Sequence, residues 1–127
     1  MYKKQIGNYL IDTIWEETQK RANNLNICEP KNNELFIDLD SSEAVENFFY
    51  KRDMINNFLE HPVYTEISVS KTPGHYHAKI EWPEDVTSAE RLFLQLLLGS
   101  DPIREWCSFV KLKLRHPKPT VFYEKKI

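Results

Sequence analysis

The chain has 127 residues, a net charge of −2 and 41% hydrophobic residues, which fits one globular domain with a real core and is too short for two. No run of about eighteen apolar residues is present, which excludes a helical membrane span. The opening Met1-Tyr2-Lys3-Lys4-Gln5 lacks a signal peptide's apolar stretch, and Cys28 and Cys107 have no metal-like spacing, so a cytoplasmic chain with reduced thiols is expected.

Charge is spread unevenly. Glu29, Glu34, Asp38, Asp40, Glu43, Glu46, Asp53 and Glu60 make residues 29–60 acidic, whereas Arg104, Lys111, Lys113, Arg115, Lys118, Lys125 and Lys126 make residues 104–127 basic. A basic end can meet phosphate locally or can be a solvated face.

In chain order, Ile6, Leu10 and Ile14 recur at helical spacing, with Asn23-Asn24 closing the run, so residues 1–25 are expected to form an N-terminal helix ahead of a core over 34–125. Residues 26–33 read as a polar loop around Pro30. Leu35, Ile37 and Leu39 form the buried face of a strand whose other face carries Phe36, Asp38 and Asp40. Asp40 or Ser41 then caps a helix reaching about Glu60, with Val45, Phe48, Phe49, Ile55, Phe58 and Leu59 on its apolar side; His61-Pro62 ends it.

Residues 63–70 alternate as a strand, Pro73-Gly74 makes a hairpin turn, and a second strand runs from His75 to Trp82. His75, His77 and Lys79 share one face of it; Tyr76, Ala78, Ile80 and Trp82 share the other. Thr87-Ser88-Ala89-Glu90 is a capping box opening a helix that Gly99 stops. That helix is apolar on nearly every side and is expected to be well buried. Asp101-Pro102 starts another helix. Lys111-Leu112-Lys113-Leu114-Arg115 reads as a short strand with three bases on one face, and Thr120–Glu124 as a last strand.

This order predicts an α+β fold, a ferredoxin-like or RRM-like antiparallel sheet with a βαββαβ core, helices on one face and an extra N-terminal helix. The open face would gather Asp38, Asp40, Glu66, Ser68, Ser70, His75, His77, Lys79, Lys111, Lys113 and Arg115. Asp38 and Asp40 stand roughly 7 Å apart along a strand, a spacing that lets two carboxylates hold Mg²⁺ against phosphate oxygens. The plainer reading makes Asp40 a helix cap and Asp38 an exposed strand residue. His75 and His77 can present two imidazoles to a metal or donate to phosphate, and Gly74 beside them allows close backbone approach.

Phe36-Ile37-Asp38-Leu39-Asp40 resembles the hydrophobic-Asp-hydrophobic-Asp motif of the archaeo-eukaryotic primase superfamily, and Lys71–Ile80 resembles its second motif, with His77 as the matching histidine. Leu98-Gly99-Ser100-Asp101-Pro102-Ile103-Arg104 resembles a Gly-Asp-Asp-x-x-Arg-like helix junction of small primase-like proteins from archaea and their viruses. The resemblance implies a nucleotide- or nucleic-acid-binding protein of DNA replication or repair, located in the host cytoplasm if viral. It makes Asp38 and Asp40 ligands of Mg²⁺ or Mn²⁺, with His77 as the third catalytic residue. Ser70, Lys71, Thr72, His75, Lys79, Lys111, Lys113 and Arg115 would contact nucleotide triphosphate or nucleic acid, and a replication protein is a candidate partner. The family's third carboxylate motif has no counterpart at 111–115, which leaves nucleotidyl transfer and binding without turnover both open.

Two other readings use the same residues. Rolling-circle initiators combine a His-hydrophobe-His metal site, here His75-Tyr76-His77, with a tyrosine nucleophile, here Tyr123, on a ferredoxin-like core. A non-catalytic RNA- or DNA-binding sheet would stack bases on Phe36 and Tyr64 and hold phosphate on the basic strand.

Overall fold

The computed structural model describes residues 25–59, 63–70 and 73–125. Two antiparallel sheets and three helices occupy them. Strand β1 (Leu25–Cys28) pairs with β5 (Phe122–Lys125), while β2 (Glu34–Leu39), β3 (Tyr64–Val69) and β4 (Tyr76–Glu81) form a sheet in the order β2-β4-β3. Helix α1 (Ser42–Asn56) joins β2 to β3; α2 (Ser88–Leu97) and α3 (Pro102–Lys113) follow β4.

The local signals for these elements are met in detail. Ser41 caps α1, its hydroxyl accepting from the Ala44 N–H at 3.0 Å. The β3–β4 hairpin turns at Pro73-Gly74, where Gly74 has φ +79°. A Cβ there would meet nothing within 4 Å, so the backbone angle alone calls for glycine. Thr87 and Glu90 make the reciprocal capping box of α2, and Asp101 caps α3 with Pro102 in its first turn. Gly99, at φ +92°, ends α2, and the Ser100 N–H bonds back to the Gln95 carbonyl.

Leu35, Ile37 and Leu39 of β2 meet Ala78 and Ile80 of β4, Phe48 of α1, Val63 and Leu98 in one buried cluster. This is the expected core face, and α1 covers it. Helices α2 and α3 pack along the outer edge of β2.

Four expectations need correcting. The polar 26–33 stretch is not all loop: its first three residues belong to β1, a four-residue strand that starts at Leu25 and pairs with residues 122–125. Residues 111–115 are not a strand: α3 runs through Lys113 and Arg115 ends it in left-handed backbone (φ 59°). A Lys-Leu-Lys-Leu run alternates, but it also fits the last turn of a helix, where cations meet the carbonyl end of the dipole. Helix α2 turns its polar side inward, burying Arg91 and Gln95, and leaves Phe93 64% exposed with Leu96 and Leu97 also out. Finally, α1 stops at Asn56, short of the expected Glu60. The N-terminal helix expected over 1–25 lies outside the described residues, apart from Leu25, which opens β1.

Candidate functional site

Strand β2 is an edge strand, and an unpaired edge must satisfy its outward N–H and C=O groups elsewhere. Polar side chains of α2 and α3, with Ser100 and the Asp101 N–H from the junction between them, do this. The Phe36 N–H donates to Gln95 Oε1 (2.8 Å) and the Asp38 N–H to Ser100 Oγ (3.0 Å). Arg91 Nε donates to the Glu34 carbonyl (2.8 Å), Arg104 Nη1 to the Phe36 carbonyl (2.6 Å), and the Asp101 N–H to the Asp38 carbonyl (2.7 Å). Burial pulls the Arg91 pKa down, and Glu34 opposes that.

Behind this seam sits a buried carboxylate. Glu105 accepts from Gln95 Nε2 on both oxygens (3.1 and 2.9 Å), from Ser100 Oγ (3.0 Å) and from Arg104 Nη1. A buried charge is tolerable only when paired and hydrogen-bonded, and this one is both. Arg104 Nη2 stays buried without a hydrogen-bond partner among the described residues.

The Gly99–Arg104 junction thus lies against the strand that carries Asp38. Across the sheet, Asp38 pairs in register with His77, and His77 Nε2 lies 3.9 Å from Asp38 Oδ1. Burial pushes the Asp38 carboxyl above the usual range, Arg104 opposes the shift, and Asp101 and Asp40 add to it. Asp40 follows the end of β2 and is exposed; His75 precedes β4 and its charge bears on Asp38. Asp40, His75 and Asp101 thus act electrostatically on Asp38 at one end of the sheet, where His77 is its register partner.

The second sheet face is open only in part, contrary to expectation: Glu66 and Ser68 of β3 are exposed on it, whereas β5 covers Phe36 and His77. The Phe122 ring of β5 lies parallel to both Phe36 (centroids 4.4 Å apart, 3°) and His77 (3.8 Å, 2°). Two parallel rings that close to a third would overlap if they shared its face, so Phe36 and His77 sandwich Phe122. The Arg104 guanidinium carbon lies 5.1 Å from the Phe122 centroid. Phe36 is fully buried with Phe122 stacked on it, so its face is covered while β5 is in place.

The remaining expected contacts divide. Lys79 shares this face, 5.5 Å from the Phe36 centroid, and helps line a recess of about 150 Å³ with Glu34, Glu66 and Glu81. Ser70 is tied into the hairpin, its N–H donating to the His75 carbonyl (2.8 Å). Lys71 and Thr72 lie outside the described residues. Lys111, Lys113 and Arg115 form no sheet face: Lys111 is buried on α3, and Lys113 and Arg115 point to solvent from its end. Tyr123 lies on strand β5 rather than on the helix a nicking tyrosine would occupy.

Sequence reasoning missed Arg91, Gln95, Ser100, Glu105 and Phe122. The signal for the first two was present: polar residues at i and i+4 in an otherwise apolar helix mark a face with something to satisfy.

No helix among the described residues is long and apolar enough to cross a membrane, and no group of three or more His, Cys, Asp or Glu side chains among them is arranged to hold a metal ion. Comparison with protein-family models, curated proteins and solved structures finds no match.

Proposed function

We propose that the chain is a small primase-like domain of DNA replication or repair. In this reading it binds the phosphates of a nucleotide or nucleic acid through a divalent cation, Mg²⁺ or Mn²⁺, held by Asp38 and Asp40. The observation that carries it is the register pair Asp38–His77, which joins residues of the two separate motifs at 3.9 Å. The third resembling stretch supports it independently, because Ser100 and Asp101 bond the backbone of Asp38 itself. The β2-α1-β3-β4 unit, with β4 central, is compatible with the first half of a ferredoxin-like core, the seam of α2 and α3 replacing an outer strand.

The donor set suits Mg²⁺ or Mn²⁺ arriving with phosphate. Such ions keep several waters and bind through one or two carboxylates plus substrate oxygens, so two aspartates suffice for binding. Asp38 is partly desolvated and faces the like charges of Asp101 and Asp40, a strain that a cation would relieve. The cation would supply charge neutralisation at phosphate. His77 stands beside Asp38 with Nε2 3.9 Å from its carboxylate, and Arg104 holds β2 in place while balancing the acids. With no Asp or Glu at 111–115, where the resemblance would put the third carboxylate, binding without turnover is the form of the function favoured here.

Titration calorimetry with a nucleoside triphosphate tests this. Heat of binding is expected only with Mg²⁺ or Mn²⁺ present, and is lost in Asp38→Asn/Asp40→Asn. Equal binding by that folded variant overturns the assignment.

A further inference from the structure

The ring that covers part of the second sheet face is held as a nucleobase would be held. Phe122 lies between Phe36 and His77 with all three planes within a few degrees of parallel, and a guanidinium, Arg104, sits 5.1 Å from its centre. Single-stranded nucleic acid is bound on sheets by this combination, aromatic faces that stack bases and nearby cations that take the phosphates. Lys79, beside Phe36, adds a second cation on the same face. Arg104 also keeps one buried N–H group without a partner among the described residues, a donor that a phosphate oxygen would satisfy.

The segment that carries Phe122, with Thr120 and Val121 also buried, is held to the sheet by side chains rather than by strand pairing. Strands β1 and β5 bond to each other and form no ladder with the three-stranded sheet. A two-stranded ribbon of four residues a side is marginal by itself, so its hold on the sheet rests on side chains such as Phe122. The chain enters β5 through Pro117-Lys118-Pro119, outside any regular element, so lifting it breaks no helix or central strand.

We propose that the slot between Phe36 and His77 is a nucleobase site which the chain's own Phe122 occupies, so that β5 must lift for a base to enter. This rests on the nucleotide- and nucleic-acid-binding reading above and adds the base subsite and its self-occlusion to it. Binding is then weakened by the fraction of molecules already open, and removing the plug recovers that factor.

The test is fluorescence anisotropy of a labelled oligothymidylate of about ten nucleotides, within the usual span of such sites. ATP serves as competitor, and both are measured in Mg²⁺ with wild type, Phe122→Leu and Phe122→Ala. The two variants are expected to bind at least about tenfold more tightly than wild type, as for a slot open in about a tenth of molecules or fewer. Competition by ATP assigns the slot to a free nucleotide's base as well, and its absence assigns it to a strand alone; either supports a base site. Hydrogen exchange on the wild-type protein guards against a variant that fails to fold. Bound oligonucleotide is expected to speed exchange at the β5 amides while β2 and β4 stay protected. Folded variants that bind no tighter than a binding wild type, or β5 amides equally protected in the bound state, overturn the plug and leave the metal-site reading standing. Failure of every variant to bind either probe overturns both.

Discussion

Gln95 and Phe36, 59 residues apart in sequence, are joined by a 2.8 Å hydrogen bond from the Phe36 N–H to the Gln95 carboxamide oxygen, both residues fully buried. The same carboxamide donates to both oxygens of Glu105, so one side chain satisfies a sheet edge and a buried charge together. Gln95→Leu removes an acceptor from Phe36 and two contacts from Glu105. A loss of about 3 kcal/mol is expected, from orphaning a buried N–H and partly stripping a buried carboxylate. Urea unfolding should show it as a lowered midpoint at unchanged slope. A loss under about 1 kcal/mol would show that the edge is not held by this residue.

Arg104 and Glu105 form the charged part of the seam, Glu105 buried and Arg104 nearly so. Arg104→Ala leaves the carboxylate unbalanced and should cost about 3–5 kcal/mol, whereas removing both charges in Arg104→Met/Glu105→Leu should recover a large part. A double-mutant cycle on thermal unfolding reads the difference. Additive losses would mean that the two side chains act separately.

Asp38 stands in a setting that opposes its charge. Its folded pKa is raised, mainly by burial, so the folded state holds its proton to higher pH than the unfolded state does. The sign follows: Asp38 contributes a favourable term below its unfolded value near 3.8, which is lost as pH rises through the folded value, leaving a penalty at neutral pH. Asp38→Asn should therefore stabilise the metal-free protein at pH 7 by about 0.5–2 kcal/mol while removing metal-dependent binding, the usual trade at a functional position. A destabilised Asn variant would contradict the burial argument.

The cap of α2 gives an independent check on the edge seam, because α2 carries Arg91 and Gln95. Thr87→Ala should cost about 1 kcal/mol. Glu90, hydrogen-bonded to Thr87, has its pKa lowered, so its help to the helix is present above 4.5 and fades as pH falls through the folded value. The Thr87 backbone N–H, which lowers that pKa most, survives in Thr87→Ala, so the acid-side dependence should persist there and flatten in Glu90→Gln; an unchanged pH profile of stability between pH 3 and 5 in Glu90→Gln would assign the dependence elsewhere.

Much of the architecture was legible because it is written locally. Ser41, Thr87-Glu90, Asp101-Pro102, Gly74 and Gly99 each act within a few residues, and the alternation of β2, β3 and β4 named the core face. The failures are long-range. The strand β1 is too short to stand out from its polar neighbours, and its partner lies at the other end of the chain. The period of Lys111–Arg115 is ambiguous over so few residues. Helix α2 looked fully buried because its composition is apolar, yet its depth is set by the polar needs of an edge strand. At the site, the shared face of Asp38 and His77 followed from strand parity once the hairpin was placed. Nothing in the local sequence announced that Phe122 would lie between Phe36 and His77.

The central claim is that Asp38 and Asp40 hold a divalent cation beside His77. Mn²⁺ titrated into isotope-labelled protein with a nucleoside triphosphate tests this most directly, because the paramagnetic ion broadens amide resonances near it. The account predicts broadening centred on residues 38–40, 75–77 and 100–101, absent in Asp38→Asn/Asp40→Asn. Broadening centred on any other part of the chain, or the same pattern in that variant, would contradict it.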